Sequence, residues 1–150
     1  MPLVPILTAA NVSSPYGWRA HPVTGEQKLH AGADFRLAQG SPVSTIAWGQ
    51  VVEVKPVSSD PGLTAVVGIL HPYGWKSRYV HLSRVAVKKG QWVAPGQVIG
   101  LSGGAPGVPG SGPSTTGAHL HLELYYFDPV TKLWTKTDPI PWIFKKGARK

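Results

Sequence analysis

Five side chains in this sequence are of types that hold metal ions or move protons. They are His30 and Asp34 in His30-Ala-Gly-Ala-Asp34, a lone His81 in Tyr79-Val-His-Leu-Ser83, and His119 and His121 in Ala118-His-Leu-His-Leu122. Neutral imidazole nitrogen and carboxylate oxygen are ordinary ligands of a catalytic zinc, which takes three protein ligands and keeps a fourth position open. Five candidates exceed that need. The surplus histidines are available for proton work beside an ion.

The spacing decides which of them can meet. His119 and His121 stand at i and i+2 of an alternating segment, so on a strand both point to one face with Cα atoms about 6.6 Å apart. Glu123 and Tyr125 share that face, while Leu120, Leu122 and Leu124 turn to the core. Such a pair suits one ligand with a catalytic neighbour. Glu123 reads first as a surface glutamate, with orientation of an imidazole as the other reading. His30 and Asp34 would lie roughly 13 Å apart on a flat strand, too far to share an ion. A bend or bulge at Gly32 brings them together, and glycine is the residue that permits one. His30, Asp34 and one histidine of the pair then make a zinc shell with one open position. By spacing alone His81 reads as a hydrogen-bonded structural histidine, as do His21 and His71.

The elements that must position these groups are all strands. Runs rich in Val and Ile at 42–46, 49–54, 63–70, 77–81, 93–101 and 118–127 are separated by Gly and Pro punctuation. No segment sustains a helical apolar period beyond two turns, and 139–144 is expected to form one short terminal turn of helix. The fold class is therefore all-β, a sandwich or small barrel of antiparallel sheets. Residues 57–62 read as an ordinary turn. The Gly/Pro-rich stretch 103–117, immediately before His119, reads either as a groove wall or as a tolerated insertion.

The 150 residues include 18 Gly and 15 Pro, which agrees with many short elements, and suffice for one domain with its own core. We expect a single domain over 1–150, with its core at about 14–139, a short N-terminal extension and a basic C-terminal tail. The absence of cysteine excludes disulfides and thiolate metal sites. The net charge of +8 favours an anionic partner, and Lys145, Lys146, Arg149 and Lys150 cluster at the end. No Arg/Lys face interleaves with aromatics, so nucleic acid is not expected as the partner. No apolar run approaches the roughly 20 residues of a transmembrane helix, and residues 1–10 lack the positive start of a signal peptide.

Several segments, in order, resemble the lysostaphin-like (LytM-type) zinc endopeptidases. They are Ser14-Pro-Tyr-Gly-Trp-Arg-Ala-His-Pro-Val-Thr-Gly25, Leu29-His-Ala-Gly-Ala-Asp-Phe35, Tyr79-Val-His-Leu-Ser83, Val87-Lys-Lys-Gly-Gln-Trp-Val-Ala-Pro-Gly-Gln-Val-Ile-Gly100 and Gly117-Ala-His-Leu-His-Leu-Glu123. The resemblance covers about residues 14–139. It implies a compact antiparallel β fold with a loop-lined groove. The implied activity is a hydrolase that cuts peptide cross-links of bacterial peptidoglycan with one Zn²⁺. It assigns His30, Asp34 and His121 to the metal, and places His81 and His119 beside the water and the scissile carbonyl. His81 is thereby raised from structural residue to catalyst. The Ser114-Thr-Thr-Gly-Ala118 stretch is one residue longer than the family's usual approach to the His-x-His pair.

Within that resemblance His119 is the expected general base and His81 the expected stabiliser of the oxyanion. The expected partners are peptidoglycan stem and cross-bridge peptides, with anionic wall or outer-membrane polymers meeting the basic tail, and the protein is expected to be a monomer. It is expected to act at the bacterial cell wall, as a bacteriolytic phage enzyme (an endolysin) or as a trimmed domain of a secreted one. The alternative function is a non-catalytic zinc-containing module that binds peptidoglycan or regulates. The 87–100 segment also resembles the hairpin of biotinyl and lipoyl carriers. No lysine sits on a tight exposed turn as such carriers require, and a phosphohistidine carrier would leave Asp34 unexplained.

Overall fold

The alternation in Leu120-His-Leu-Glu-Leu124 produces the central strand of the protein, with Leu120, Leu122 and Leu124 at 0%, 0% and 3% exposure on its inner side. The computed structural model describes residues 12–20, 25–60, 62–112 and 117–144; His21, the 113–116 part of the long loop and the Lys145–Lys150 tail lie outside them. Among the described residues the strands run β1 Val12–Ser14, β2 Gly17–Ala20, β3 Gln27–His30, β4 Ala33–Phe35, β5 Pro42–Ser44, β6 Gly49–Lys55 and β7 Val66–His71. They continue as β8 Trp75–Val80, β9 Leu82–Val85, β10 Trp92–Val93, β11 Val98–Ser102, β12 Leu120–Phe127 and β13 Trp134–Thr137, followed by the short helix α1 Ile140–Phe144. The expected all-β class and the terminal helical turn both stand.

The main sheet has the order β1-β4-β12-β8-β7-β6-β10, with β13 on the far half of the β12 edge that β4 occupies. A three-stranded sheet, β5-β11-β9, covers its inner face. Val51, Val67, Ile69, Tyr79 and Leu122 from the first meet Val43, Leu82 and Ile99 from the second in one apolar cluster. The opposite face of β12, β8, β7 and β6 is left to the site. The strand pairings among the described residues are all antiparallel, so the sandwich expectation holds, with the large sheet against the three-stranded one and β2-β3 forming a separate two-stranded sheet. No helix among the described residues is long and apolar enough to cross a membrane.

Three of the departures from the sequence reading have a visible cause. The run 63–70 starts as a strand only at Val66, because Thr64 bridges to Gly110 and Ser111 and the Ala65 amide donates to the Gly110 carbonyl (2.9 Å). The run 93–101 splits at Ala94-Pro-Gly-Gln97, where the Gln97 amide donates to the Ala94 carbonyl (3.0 Å). The run 77–81 stops at Val80, since His81 has φ 67° and turns the chain out of β8 in the main sheet into β9 in the smaller one. A left-handed conformation costs a non-glycine residue about 1 kcal/mol or more, and such residues cluster at functional sites.

The bend expected at Gly32 is present between β3 and β4, but backbone freedom is not its cause. A Cβ at Gly32 would stand 2.6 Å from His121 Cε1 and 2.7 Å from the Leu122 carbonyl oxygen. Glycine is required because the chain passes against the His121 ring. Gly32→Ala is expected to displace that ring and destabilise the protein by about 1–3 kcal/mol. Denaturant unfolding checks it, and an unchanged midpoint would contradict it.

Candidate metal centre

Each of the five candidate residues arrives on a different kind of support. His30 ends β3, Asp34 lies in β4, His121 lies in β12 directly opposite Asp34, His119 immediately precedes β12, and His81 is the hinge between β8 and β9. The structure brings all five together. His30 Nε2 is 3.3 Å from Asp34 Oδ2, His121 Nδ1 is 2.7 Å from Asp34 Oδ1, and His119 Nε2 is 3.9 Å from the same oxygen. The His81 ring centroid is 4.7 Å from that of His119 and 6.2 Å from that of His121.

Among the described residues one group of three has ligand atoms close enough to hold an ion: His30, Asp34 and His121, all within 4.8 Å of one another. Hydrogen bonds at the far side of each ring fix which nitrogen faces inward. His30 Nδ1 donates to the Pro15 carbonyl at 2.9 Å, so its Nε2 presents a lone pair to Asp34 Oδ2. With the ring neutral both atoms are acceptors, and a cation between them, a proton or a metal ion, holds them at 3.3 Å. That separation is close to what two tetrahedral ligands with bonds of about 2.0–2.1 Å require. The donor set of two nitrogens and a carboxylate suits zinc.

His121 Nε2 lies 3.1 Å from Glu123 Oε2, which leaves Nδ1 for the cluster. Burial works against a charge on this ring, yet the hydrogen bonds to Asp34 and Glu123 outweigh it and push its pKa up to about 9. Asp34 shows the same balance. Burial raises its carboxyl, and the His121 hydrogen bond together with the other imidazoles gathered around it more than reverses that.

The surface reading of Glu123 is corrected here. The residue is only 7% exposed, and its carboxylate accepts from Tyr125 Oη (2.7 Å), Arg78 Nη1 (3.2 Å) and Lys136 Nζ (3.5 Å) besides His121. Burial disfavours its charge, but the His121 and Tyr125 hydrogen bonds and the nearby cations hold it well below the usual carboxylate range. Arg78 stands directly across from Glu123 on β8 and is fixed in turn by Glu53 at 2.9 Å and 3.3 Å. Glu123 therefore orients the His121 ring. Glu123→Gln keeps the shape and removes the charge; metal affinity is expected to fall about 10–100-fold, read by chelator competition. Unchanged affinity would show the glutamate to be a surface feature after all.

His81 and His119 share a pattern. His81 Nδ1 donates to the Ser111 carbonyl (2.6 Å) and His119 Nδ1 to the Gly117 carbonyl (2.7 Å), so each neutral ring turns an accepting Nε2 towards the site. Burial pushes the His81 pKa down, the Ser111 carbonyl acts the other way, and the neighbouring imidazoles depress it further. Both carbonyls belong to the 103–117 loop, so its described part is a wall of the site. Gly104 has φ 92° and packs where a Cβ would sit 2.8 Å from His119 Nδ1. The supports from Pro15, Ser111 and Gly117 had no signal in the sequence, because backbone carbonyls carry no residue signature. His71 is remote from this cluster. It is buried, with Nδ1 on the Trp48 carbonyl (2.9 Å) and Nε2 2.7 Å from Ser77 Oγ, as its structural reading requires.

Comparison with known proteins gives a consistent set of relatives. The model of peptidase family M23 matches residues 28–134. The peptidoglycan DD-endopeptidase ShyA of Vibrio cholerae is 43% identical over 106 residues, covering 71% of this chain and 22% of that protein. A zinc-containing peptidase from Vibrio cholerae superposes with a TM-score of 0.68 at 34% identity, over 88% of this chain and 37% of the other. The catalytic domain of lysostaphin from Staphylococcus simulans does so with 0.65 at 29% identity, over 89% and 93%. The chain spans about a quarter of the length of the curated relatives it matches.

Proposed function

The chain belongs to peptidase family M23, and from that premise we propose that it is a zinc endopeptidase that hydrolyses peptide cross-links of bacterial peptidoglycan. The observation that carries this reading is the inward-facing trio of His30 Nε2, an Asp34 oxygen and His121 Nδ1, with two further imidazoles beside it. In this reading the domain is 1–150 with its core at about 14–139, His30, Asp34 and His121 hold one Zn²⁺, and His81 and His119 are catalytic. A bound zinc supplies Lewis acidity and a water of lowered pKa.

The chain's own groups then do the following. Glu123 keeps the His121 ring in one orientation by accepting from Nε2, and the Pro15 carbonyl does so for His30. His119, whose Nε2 lies 3.9 Å from Asp34 Oδ1, takes a proton from water. His81 carries its proton on Nδ1, bound to the Ser111 carbonyl, so Nε2 becomes a donor only after taking a proton from solvent; so charged, it stabilises the negative charge developing on the scissile carbonyl oxygen. The proton that His119 took from water passes to the leaving amine. The Ser111 and Gly117 carbonyls stop either ring from flipping while the proton is held.

Release at the cell wall by a phage, or delivery as part of a secreted enzyme, belongs to the same proposal, as does approach to anionic wall polymers through Lys145–Lys150. Digestion of purified peptidoglycan followed by mass spectrometry tests the activity. The expected products are stem peptides with a new amine and a new carboxylate at the cross-link, absent when a chelator is present. Intact cross-links would refute it.

A further inference from the structure

Beside His81 the outer face of the main sheet carries a cleft of about 540 Å³, lined by Lys55, Leu63, Thr64, Val66, Arg78 and Val80 among others. Its floor follows from strand register. His121 is opposite Val80, Val80 opposite Val66, and Val66 opposite Lys55. Directly opposed residues share a face, so this row runs across the strands from the metal centre to Lys55. Three interstrand steps put the Lys55 Cα roughly 14 Å from that of His121. Of the two valines between them Val66 is buried and Val80 is partly exposed, so Val80 offers the apolar contact for a small aliphatic side chain of a substrate.

Two cations line the cleft, and they differ. Arg78 is committed, with Nε and Nη2 on the two Glu53 oxygens and Nη1 on Glu123. Lys55 is 58% exposed and its ammonium is 4.0 Å from a Glu53 carboxylate whose charge Arg78 already neutralises. Its ammonium carries three donors and lines the cleft with one long ion pair at 4.0 Å. A carboxylate is the group that matches.

Resting on the endopeptidase reading, we infer that this cleft is a substrate subsite in which Lys55 binds a free carboxylate of the peptide. The ammonium would meet a group roughly 10–14 Å from the hydrolysed bond, about three or four extended residues away. Preference for an acidic stem or cross-bridge peptide over its amidated form is then set by Lys55.

Two synthetic cross-linked peptides test this, identical except that one bears the free carboxylate and the other its carboxamide. The wild-type protein is expected to favour the acid by about tenfold in kcat/KM, carried by KM. Lys55→Gln is expected to erase the preference with kcat unchanged, and Lys55→Glu to reverse it. A wild-type enzyme that cuts both peptides equally overturns the subsite alone, as does a Lys55→Gln variant that keeps the preference. A wild-type enzyme that cuts neither overturns the endopeptidase reading and the subsite with it.

Discussion

Asp34→Ala is expected to abolish metal binding and peptide hydrolysis together. Asp34 lies 3.3 Å, 2.7 Å and 3.9 Å from three of the four histidines of the site and so gathers them. Its removal takes away the one anionic ligand and leaves His30 and His121 without the group that gathers them. Two imidazoles alone are a poor shell for a hydrolytic zinc, which takes three protein ligands. His121→Ala is expected to act the same way and in addition to strand Glu123, whose remaining partners are Arg78, Tyr125 and Lys136. Elemental analysis of the purified variants is expected to show metal at background level. A fully loaded but inactive Asp34→Ala protein would move the ion elsewhere.

The second large effect separates chemistry from coordination. His81→Ala and His119→Ala are expected to retain metal at the wild-type level and to lose turnover by about 10²–10⁴-fold, the range of a positioned acid or base. Both rings present Nε2 to the site and neither belongs to the trio within 4.8 Å. Parallel measurement of metal content and rate on defined cross-linked peptides checks this. A near-wild-type rate in either variant would remove that histidine from the mechanism. Metal loss in His119→Ala would make it a ligand.

Much of this site was legible before any coordinates. Period-two alternation from Leu120 put His119, His121 and Glu123 on one face and the leucines on the other, because that pattern depends only on local pleating. The conflict between a four-residue spacing and a shared ion demanded a bend at Gly32, and the chain does bend there. Its reason was hidden, since the contact of Gly32 with the His121 ring joins residues almost ninety positions apart. Glu123 was misread for a similar reason. Parity placed it beside the histidines, but its burial depends on Arg78 across the β12–β8 ladder and Lys136 across β12–β13.

His81 was the least legible from its own surroundings. Its left-handed turn between two sheets and its bond to the Ser111 carbonyl are set by tertiary packing, and only the family resemblance marked it out. The strands from Val12 to Phe35 were missed because each spans three or four residues between Gly and Pro breaks, too short for any period to register.

The proposed activity requires one ion held by His30, Asp34 and His121. Anomalous diffraction at the zinc edge, from crystals grown with Zn²⁺, tests it most directly. A single peak bounded by His30 Nε2, the Asp34 carboxylate and His121 Nδ1 is the predicted result. A peak ligated instead by His81 or His119, or no peak at this cluster, would contradict it.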